Sequence, residues 1–399
     1  MTASIVKMMG YVDGSPTKAN SYTSTTGGCR DYLHNRVQAG ATGFKWMRMT
    51  LSWSMVQPSA PTYAEGDVGA TFNFYNTDPQ AQQWFRWLDD IVAACNQDGV
   101  FVNLCLSQYY PAWTYPGSPA TEPGSDGKGR SQRLPKNVAG GSHWALWATY
   151  LYLRYFGSFG GTLNPGGPGS SGGPRGNPKA GWIGAFEFCN EPNLYAWNNT
   201  DFNDSTVARM FMTIDGILNF WGAACGVVGP ALSDRPSTTF SGGGVDCIYA
   251  KAFADRVLGG LANWRPTNYF AWSHHNYRDM LRSSSGTVGD TTSVTDIANS
   301  LRDQNWRGGG DRNIWVTEGA YVLDAAYDDV ATQKAAISNT RKVLQAHPNA
   351  VTMPQYQLNN VVNESFRSGF TLAGSYDPAT GVFRPGTRLG SAATFADLT

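Results

Sequence analysis

Apolar runs of strand length recur along the chain, and between them apolar side chains return every three or four positions. Strands are predicted at 4–9 (SIVKMM), 44–49 (FKWMRM), 101–106 (FVNLCL), 183–189 (IGAFEFC), 226–229 (GVVG), 269–273 (YFAWS), 313–317 (NIWVT) and 351–356 (VTMPQY). Helices are predicted over about 28–39, 79–97, 142–156, 204–223, 246–262, 293–305, 325–346 and 389–397. The clearest is 79–97, where Trp84, Phe85, Leu88, Ile91, Val92 and Cys95 share one face. Several strands are apolar without alternation, as in a parallel sheet covered on its outside by helices. Eight strands alternating with eight helices predict an α/β chain folded as a (β/α)8 TIM barrel. A doubly wound open sheet is the alternative reading of the same pattern.

At 399 residues the chain is long for one ordinary domain, but such barrels reach this length once loops are inserted. A single domain over 1–399 is therefore expected. Its Gly/Pro-rich segment 157–181 reads as a surface loop inserted before the fourth strand. That segment matches GxGxxG at 167–172 and GxSxG at 169–173. Both patterns require a strand leading into the glycines and a helix leaving them, and neither is predicted there.

Composition narrows the chemistry. The net charge is +0 and only 15% of residues are charged, so neither a nucleic-acid groove nor a polybasic membrane patch is expected. No apolar run reaches the ~18 residues of a membrane span. The 6 cysteines make no disulfide scaffold; Cys105 and Cys189 read as core, whereas Cys225 and Cys247 are a candidate pair. MTASIVKMMG lacks the long apolar stretch and cleavage site of a signal peptide. Aromatic residues reach 13%, and loops such as SQYYPAWTYPG (107–117) carry several of them.

The strand ends hold the candidate chemistry, because active sites of such barrels lie at the C-terminal ends of the strands. Strand two ends near Arg48, with Trp53 following. Strand three leads to Tyr109 and Trp113. Strand four ends in Asn190-Glu191, strand six runs into His274-His275-Asn276-Tyr277, and strand seven ends in Glu318. Glu191 and Glu318 each follow an apolar run directly. Two carboxylates at one site are what glycosidic bond cleavage needs, one protonated to donate to the leaving oxygen and one ionised to attack.

FEFCNEPN resembles the acid/base motif of clan A glycoside hydrolases, and IWVTEGA resembles their strand-seven nucleophile. His275-x-Tyr277 and Arg48 resemble further positions of that clan. HWALWATYLYLRYFG followed by FEFCNEPN is closest to family 39, with family 5 nearly as similar. The resemblance spans roughly residues 4 to 370. It implies a retaining β-glycosidase without metal or organic cofactor. Glu191 would be the acid/base and Glu318 the nucleophile, with the two carboxyl groups about 5–5.5 Å apart. Asn190 would bind the 2-hydroxyl, His275 and Tyr277 would orient the carboxylates, and Arg48 would hold Glu318 ionised. Two departures stand out: MPQYQLNN lacks the Trp these families often carry after strand eight, and Cys189 stands where family 39 tends to have Trp.

Other residues have plainer readings. Glu187 shares strand parity with Glu191, points into the barrel and needs a buried partner, for which Arg48 is a candidate. Adjacent strand residues face opposite ways, so His274 packs outward and the pair is not a metal site. Trp53, Tyr109, Trp113 and Tyr195 are either sugar platforms or loop packing. Asn198, Asn203 and Asn363 begin glycosylation sequons. The inserts 54–78 and 109–141 favour a cleft for an oligosaccharide, polysaccharide or diglycoside. A degrader of external glycans is exported, so a secreted protein is expected. Transglycosylation by the same two glutamates and a non-catalytic sugar-binding barrel remain the alternatives.

Overall fold

The computed structural model describes residues 8–13, 44–97, 101–106, 109–115, 130–131, 134–156, 183–194, 204–222, 226–239, 245–281, 288–306, 312–323, 329–356, 375–377 and 382–384. Eight strands form one sheet: β1 (Met8–Asp13), β2 (Phe44–Thr50), β3 (Phe101–Cys105), β4 (Ile183–Glu187), β5 (Gly226–Ser233), β6 (Phe270–His275), β7 (Ile314–Glu318) and β8 (Thr352–Tyr356). All its pairings are parallel, and β8 lies beside β1, followed by β2 through β7 in chain order. Nowhere does the order reverse, which sets aside the doubly wound sheet with its switch point. The outer strands β7 and β8 approach through a parallel bridge between Ile314 and Ala350. There the Ile314 N–H donates to Asn349 O at 2.8 Å and the Val351 N–H to Ile314 O at 2.9 Å. The architecture is an α/β barrel.

Helices α1 (Pro79–Gln97), α2 (His143–Phe156), α3 (Asp204–Trp221), α4 (Ala250–Gly260), α5 (Thr292–Asp303) and α6 (Val330–Ala346) lie between successive strands or before β8. On α1, Ala81, Phe85, Leu88, Ile91, Val92 and Cys95 are buried, with Trp84 at the edge of that stripe. Burying a side chain such as Phe85 or Leu88 contributes roughly 1.5–3 kcal/mol each. All of β6 is buried: Phe270 and Trp272 pack against Phe211 of α3 and His274 meets Ser293 at the start of α5, while His275 on the opposite face reaches Glu191. Among the described residues, no helix is long and apolar enough to cross a membrane.

Several predicted boundaries shift. β1 is Met8–Asp13 rather than 4–9, and β5 continues past Gly229 to Ser233. Gly229 permits that continuation: a Cβ there would lie 2.7 Å from Phe188 Cε1. α4 begins at Ala250 because a short strand, Val245–Cys247, pairs with Thr238–Thr239 just before it. The insert after β2 contains an unpredicted helix, Val68–Thr77, started by Asp67, whose carboxylate accepts from the Ala70 N–H at 2.9 Å. The predicted helices 28–39 and 389–397, the loop 157–181 and Cys225 lie outside the described residues, as do Tyr195, Asn198 and Asn363.

Candidate active site

Strand β4 stops pairing at Glu187, yet the chain stays against β5. Asn190 bridges Ala231, the Ala231 N–H donates to Cys189 O at 3.1 Å, and the Glu191 N–H donates to Ala231 O at 2.7 Å. Glu191 then adopts a φ of 44°. Such left-handed backbone is uncommon outside glycine and costs about 1–3 kcal/mol unless its surroundings impose it. Asn193 supplies that constraint. Its amide donates to Ser233 O and Ile248 O, both at 2.8 Å, and its oxygen accepts from the Ser233 N–H at 2.9 Å. Glu191 is thus aimed by a turn stitched to β5, and not by continuing the alternation that places Glu187.

Glu187 is wholly buried beneath it. Arg48 on β2 donates from Nε to both Glu187 oxygens at 3.0 Å and from Nη2 to Oε1, while Asn103 on β3 donates to Oε2 at 3.0 Å. The same guanidinium donates from Nη1 to Glu318 Oε1 and from Nη2 to Asn190 Oδ1, the latter at 2.6 Å. Burial works to lower the Arg48 pKa. The charges of Glu187 and Glu318 outweigh it and leave Arg48 well above its ordinary value. A buried cation of this kind is tolerable because it is paired with two carboxylates and donates from all three of its nitrogens.

On the other side of the site, Tyr277 donates to Glu318 Oε2 at 2.9 Å. The His275 Nδ1 lies 2.9 Å from Glu191 Oε1 and 3.6 Å from Glu318 Oε2. Since a carboxylate only accepts, that nitrogen carries the proton. Burial pushes the Glu191 pKa up, but the hydrogen bond and charge of His275, together with Arg48, outweigh it and hold the carboxyl below its ordinary value. One ligand atom each of Glu191, His275 and Glu318 lie within 4.8 Å of one another. Two carboxylates and an imidazole are a donor set that a divalent cation accepts. Here the Glu318 oxygens are already engaged by Arg48 and Tyr277, so a cation would compete with a fixed positive charge. Gly319 follows Glu318 for a steric reason: a Cβ there would lie 2.0 Å from Asn276 Oδ1.

Residues outside the sequence reading support this group. Asn103 completes the shell of Glu187, as above. Asp234, just past β5, accepts from the N–H groups of Arg278 at 2.6 Å and Asp279 at 3.3 Å. It thereby fixes the short helix Tyr277–Leu281 that carries Tyr277. Asp279 in turn accepts from the Ser293 N–H at 2.9 Å and its hydroxyl at 2.7 Å at the start of α5. His274 turns outward as expected, with Nε2 2.7 Å from Ser293 Oγ, and burial lowers its pKa to about 3. Only Asp234's position at a strand end signals its part in the sequence.

Arg48, Asn190, Glu191, His275, Tyr277 and Glu318 therefore converge, whereas the aromatic candidates form a separate group. Trp53 is wholly buried, which corrects its reading as a sugar platform. Its N–H lies 3.0 Å from the Tyr75 hydroxyl and 3.1 Å from Gln57 Oε1, and its ring stacks on Trp147 at 6.2 Å. Trp113 is half-buried on a turn of 3-10 helix and donates to Gln57 O at 3.2 Å. Tyr109 is half-buried, and its carbonyl accepts from the Ser54 N–H at 3.3 Å.

No family model matches the chain. No curated protein matches its sequence either. Solved structures do match. A glucosidase from Croceicoccus marinus aligns over 99% of this chain and 67% of its own, with a TM-score of 0.57 at 11% identity. A GH39 β-xylosidase from Caulobacter crescentus aligns over 98% and 70%, with a TM-score of 0.53 at 12% identity. ZgEngAGH5_4, whose structure is also known in complex with a cellotriose, aligns over 99% and 97%, with a TM-score of 0.53 at 12% identity. In fold, the chain resembles the clan A glycoside hydrolases whose motifs its fourth and seventh strand ends resemble.

Proposed function

We propose that the protein is a retaining glycoside hydrolase built as one closed (β/α)8 domain. It would cleave equatorial, β-type bonds of an oligosaccharide, polysaccharide or diglycoside by double displacement. The observation that carries this reading is the closeness of Glu191 and Glu318, whose nearest ligand atoms lie within 4.8 Å. That spacing suits direct attack on the anomeric carbon, whereas an inverting pair stands about 6.5–9.5 Å apart to admit a water.

In this reading Glu318 attacks the anomeric carbon and forms a glycosyl-enzyme. Arg48 donates to one of its oxygens and Tyr277 to the other, which fixes the orientation of the carboxylate. Glu191 gives a proton to the departing oxygen and later takes one from water. Its lowered pKa suits the second role. For the first, the Glu191 carboxyl takes a proton from solvent before substrate binds and passes it to the leaving oxygen. Asn190, its oxygen held by Arg48, is placed to meet the 2-hydroxyl. The fold shared with enzymes described as xylosidase and glucosidase supports a carbohydrate substrate.

The test is turnover of a panel of aryl β-glycosides, with the anomeric configuration of the first product read by NMR. A β product at first formation is expected. An α product would overturn the double displacement. Azide should restore turnover of an activated substrate by the Glu191→Ala variant, and failure to do so would remove Glu191 from the acid/base role.

A further inference from the structure

The short helix Tyr277–Leu281 is clamped from two sides, and each clamp is a buried carboxyl group. On one side Asp234 accepts the N–H groups of Arg278 and Asp279 through a single oxygen, Oδ2, at 2.6 and 3.3 Å. On the other, Asp279 accepts the Ser293 N–H and hydroxyl at 2.9 and 2.7 Å, and its backbone carbonyl accepts the Asp290 N–H at 3.0 Å. Two anions on one turn, both out of water, repel each other, so the pair keeps a proton. Burial first, then the charge of Asp279, push Asp234 well up; its two backbone donors oppose this and Glu191 adds to it. Burial likewise raises Asp279, to about 7, against the bonds from Ser293 and with help from the Asp290 carboxyl. The other neighbours supply no buried positive charge. His274 of β6 reaches Ser293 and burial holds it neutral. Tyr249, before α4, donates to Asp296 of α5. At the end of β4, Glu191 is engaged by His275. Helix α6 also packs on the turn, and its buried residues carry no charge. Among the described residues the buried arginines are Arg48 and Arg154, and both serve other carboxylates. Arg235 and Arg278, adjoining the two acids in sequence, are exposed.

We propose that Asp234 and Asp279 are positioning residues for Glu318, a clamp that holds Tyr277 in place only while the pair keeps one proton. When that proton leaves to solvent, like charges face each other across the turn. The turn then shifts, and the Tyr277 hydroxyl leaves Glu318 Oε2, which it reaches at 2.9 Å. The inference rests on the reading of Glu318 as nucleophile. It adds a loss of activity above neutral pH that neither catalytic glutamate causes.

The experiment records NMR spectra of the full-length protein with isotope-labelled tyrosine from about pH 5 to 9, a range well above the ordinary carboxylate pKa. The Tyr277 signal is the one missing from Tyr277→Phe. It should move in one step centred at about pH 7 in the parent. It should hold still in Asp234→Asn and Asp279→Asn, which keep the shape of each acid without its charge. Asp290→Asn, at a half-buried position, should move the midpoint to lower pH, since a charge that raises Asp279 is gone. Activity is read with a dinitrophenyl β-glycoside, whose leaving group departs without a proton, so Glu191 as acid does not enter. Its kcat/KM should fall about tenfold over the same range in the parent, as loss of a hydrogen bond to a charged group implies. Both acid-to-amide variants should stay level, and Tyr277→Phe should be slower at every pH without a further fall. A Tyr277 signal that stays fixed in the parent, or moves equally in both amide variants, overturns the clamp. Failure of the glycosidase reading looks different: the signal moves as expected, yet no glycoside is turned over at any pH.

Discussion

Among the described residues, two arginines are buried against carboxylates, and they are used differently. Arg154 on α2 reaches Asp89 on α1 with Nη2 to Oδ2 at 2.7 Å and Nε to Oδ1 at 3.2 Å. Tyr155 donates to the same carboxylate at 2.8 Å, and the guanidinium lies 4.6 Å from the Phe85 ring centroid. This pair is closed, with one cation and one anion locking two helices. Arg48 is divided among Glu187, Glu318 and Asn190, and the Glu318 side chain keeps 11% of its surface exposed. The first arrangement serves helix packing. The second uses a buried anion, Glu187, to hold a cation beside Glu318, the carboxylate proposed to attack.

The comparison is broken most sharply by chemistry. Glu318→Gln should lower kcat on an aryl β-glycoside by about 10⁴-fold or more, since it removes the proposed nucleophile. Its urea midpoint should move little, because Arg48 keeps Glu187. A variant that retains activity would reduce Arg48 to a second packing residue.

Next in size is stability. Asp89→Asn should cost about 3–5 kcal/mol in urea unfolding, as expected when one partner of a buried pair is removed. Activity per folded molecule should be unchanged. Replacing both partners (Arg154→Met with Asp89→Leu) should recover most of that loss, because two apolar side chains leave no buried charge. The parallel pair Arg48→Met with Glu187→Leu should recover stability but no activity. If it turns over substrate, the division between the two arginines fails.

How much of this was legible in the sequence depends on whether a residue acts alone or in relation to others. Glu191 and Glu318 announce themselves by ending apolar runs, and Arg48, His275 and Tyr277 by standing at other strand ends. Asn103 does not, because an amide inside a strand acquires meaning only from the neighbour it reaches, and Asp234 gives no sign beyond following a strand end. Strand β5 was cut short at its Gly-Pro step, which reads as punctuation although the glycine serves close contact with Phe188. The helix Val68–Thr77 buries only Thr71, Phe72 and Tyr75, too few to give a clear period. Trp53 looked available to a ligand because it follows a strand, but its neighbours in space are Trp147 and Tyr75.

Two smaller effects sharpen the electrostatic side. Asp279 is pushed up to about 7, by burial first and against its hydrogen bonds from Ser293. In the unfolded chain the group ionises near 3.9, so between about pH 4 and 7 the folded state holds a proton that the unfolded state has lost. Stability should therefore fall as pH rises through that window. Asp279→Asn should flatten this part of the urea-midpoint profile, and an unchanged slope would place the effect elsewhere. The smallest effect concerns His275, whose hydrogen bond and charge depress Glu191. In His275→Ala the Glu191 pKa should rise, and the alkaline limb of the kcat/KM profile should move to higher pH. A shift to lower pH would contradict the pairing.

The left-handed turn at Glu191 has an evolutionary consequence. A glycine or asparagine adopts that backbone with less strain, so under the proposed function a glutamate here is kept for its carboxylate and against its conformational preference. Glu191→Gly should then be inactive yet at least as stable in urea as the parent. If the proposed catalytic role holds, a duplicated gene released from it would gain from that exchange, and its inactive descendants should carry a small residue between Asn190 and Pro192.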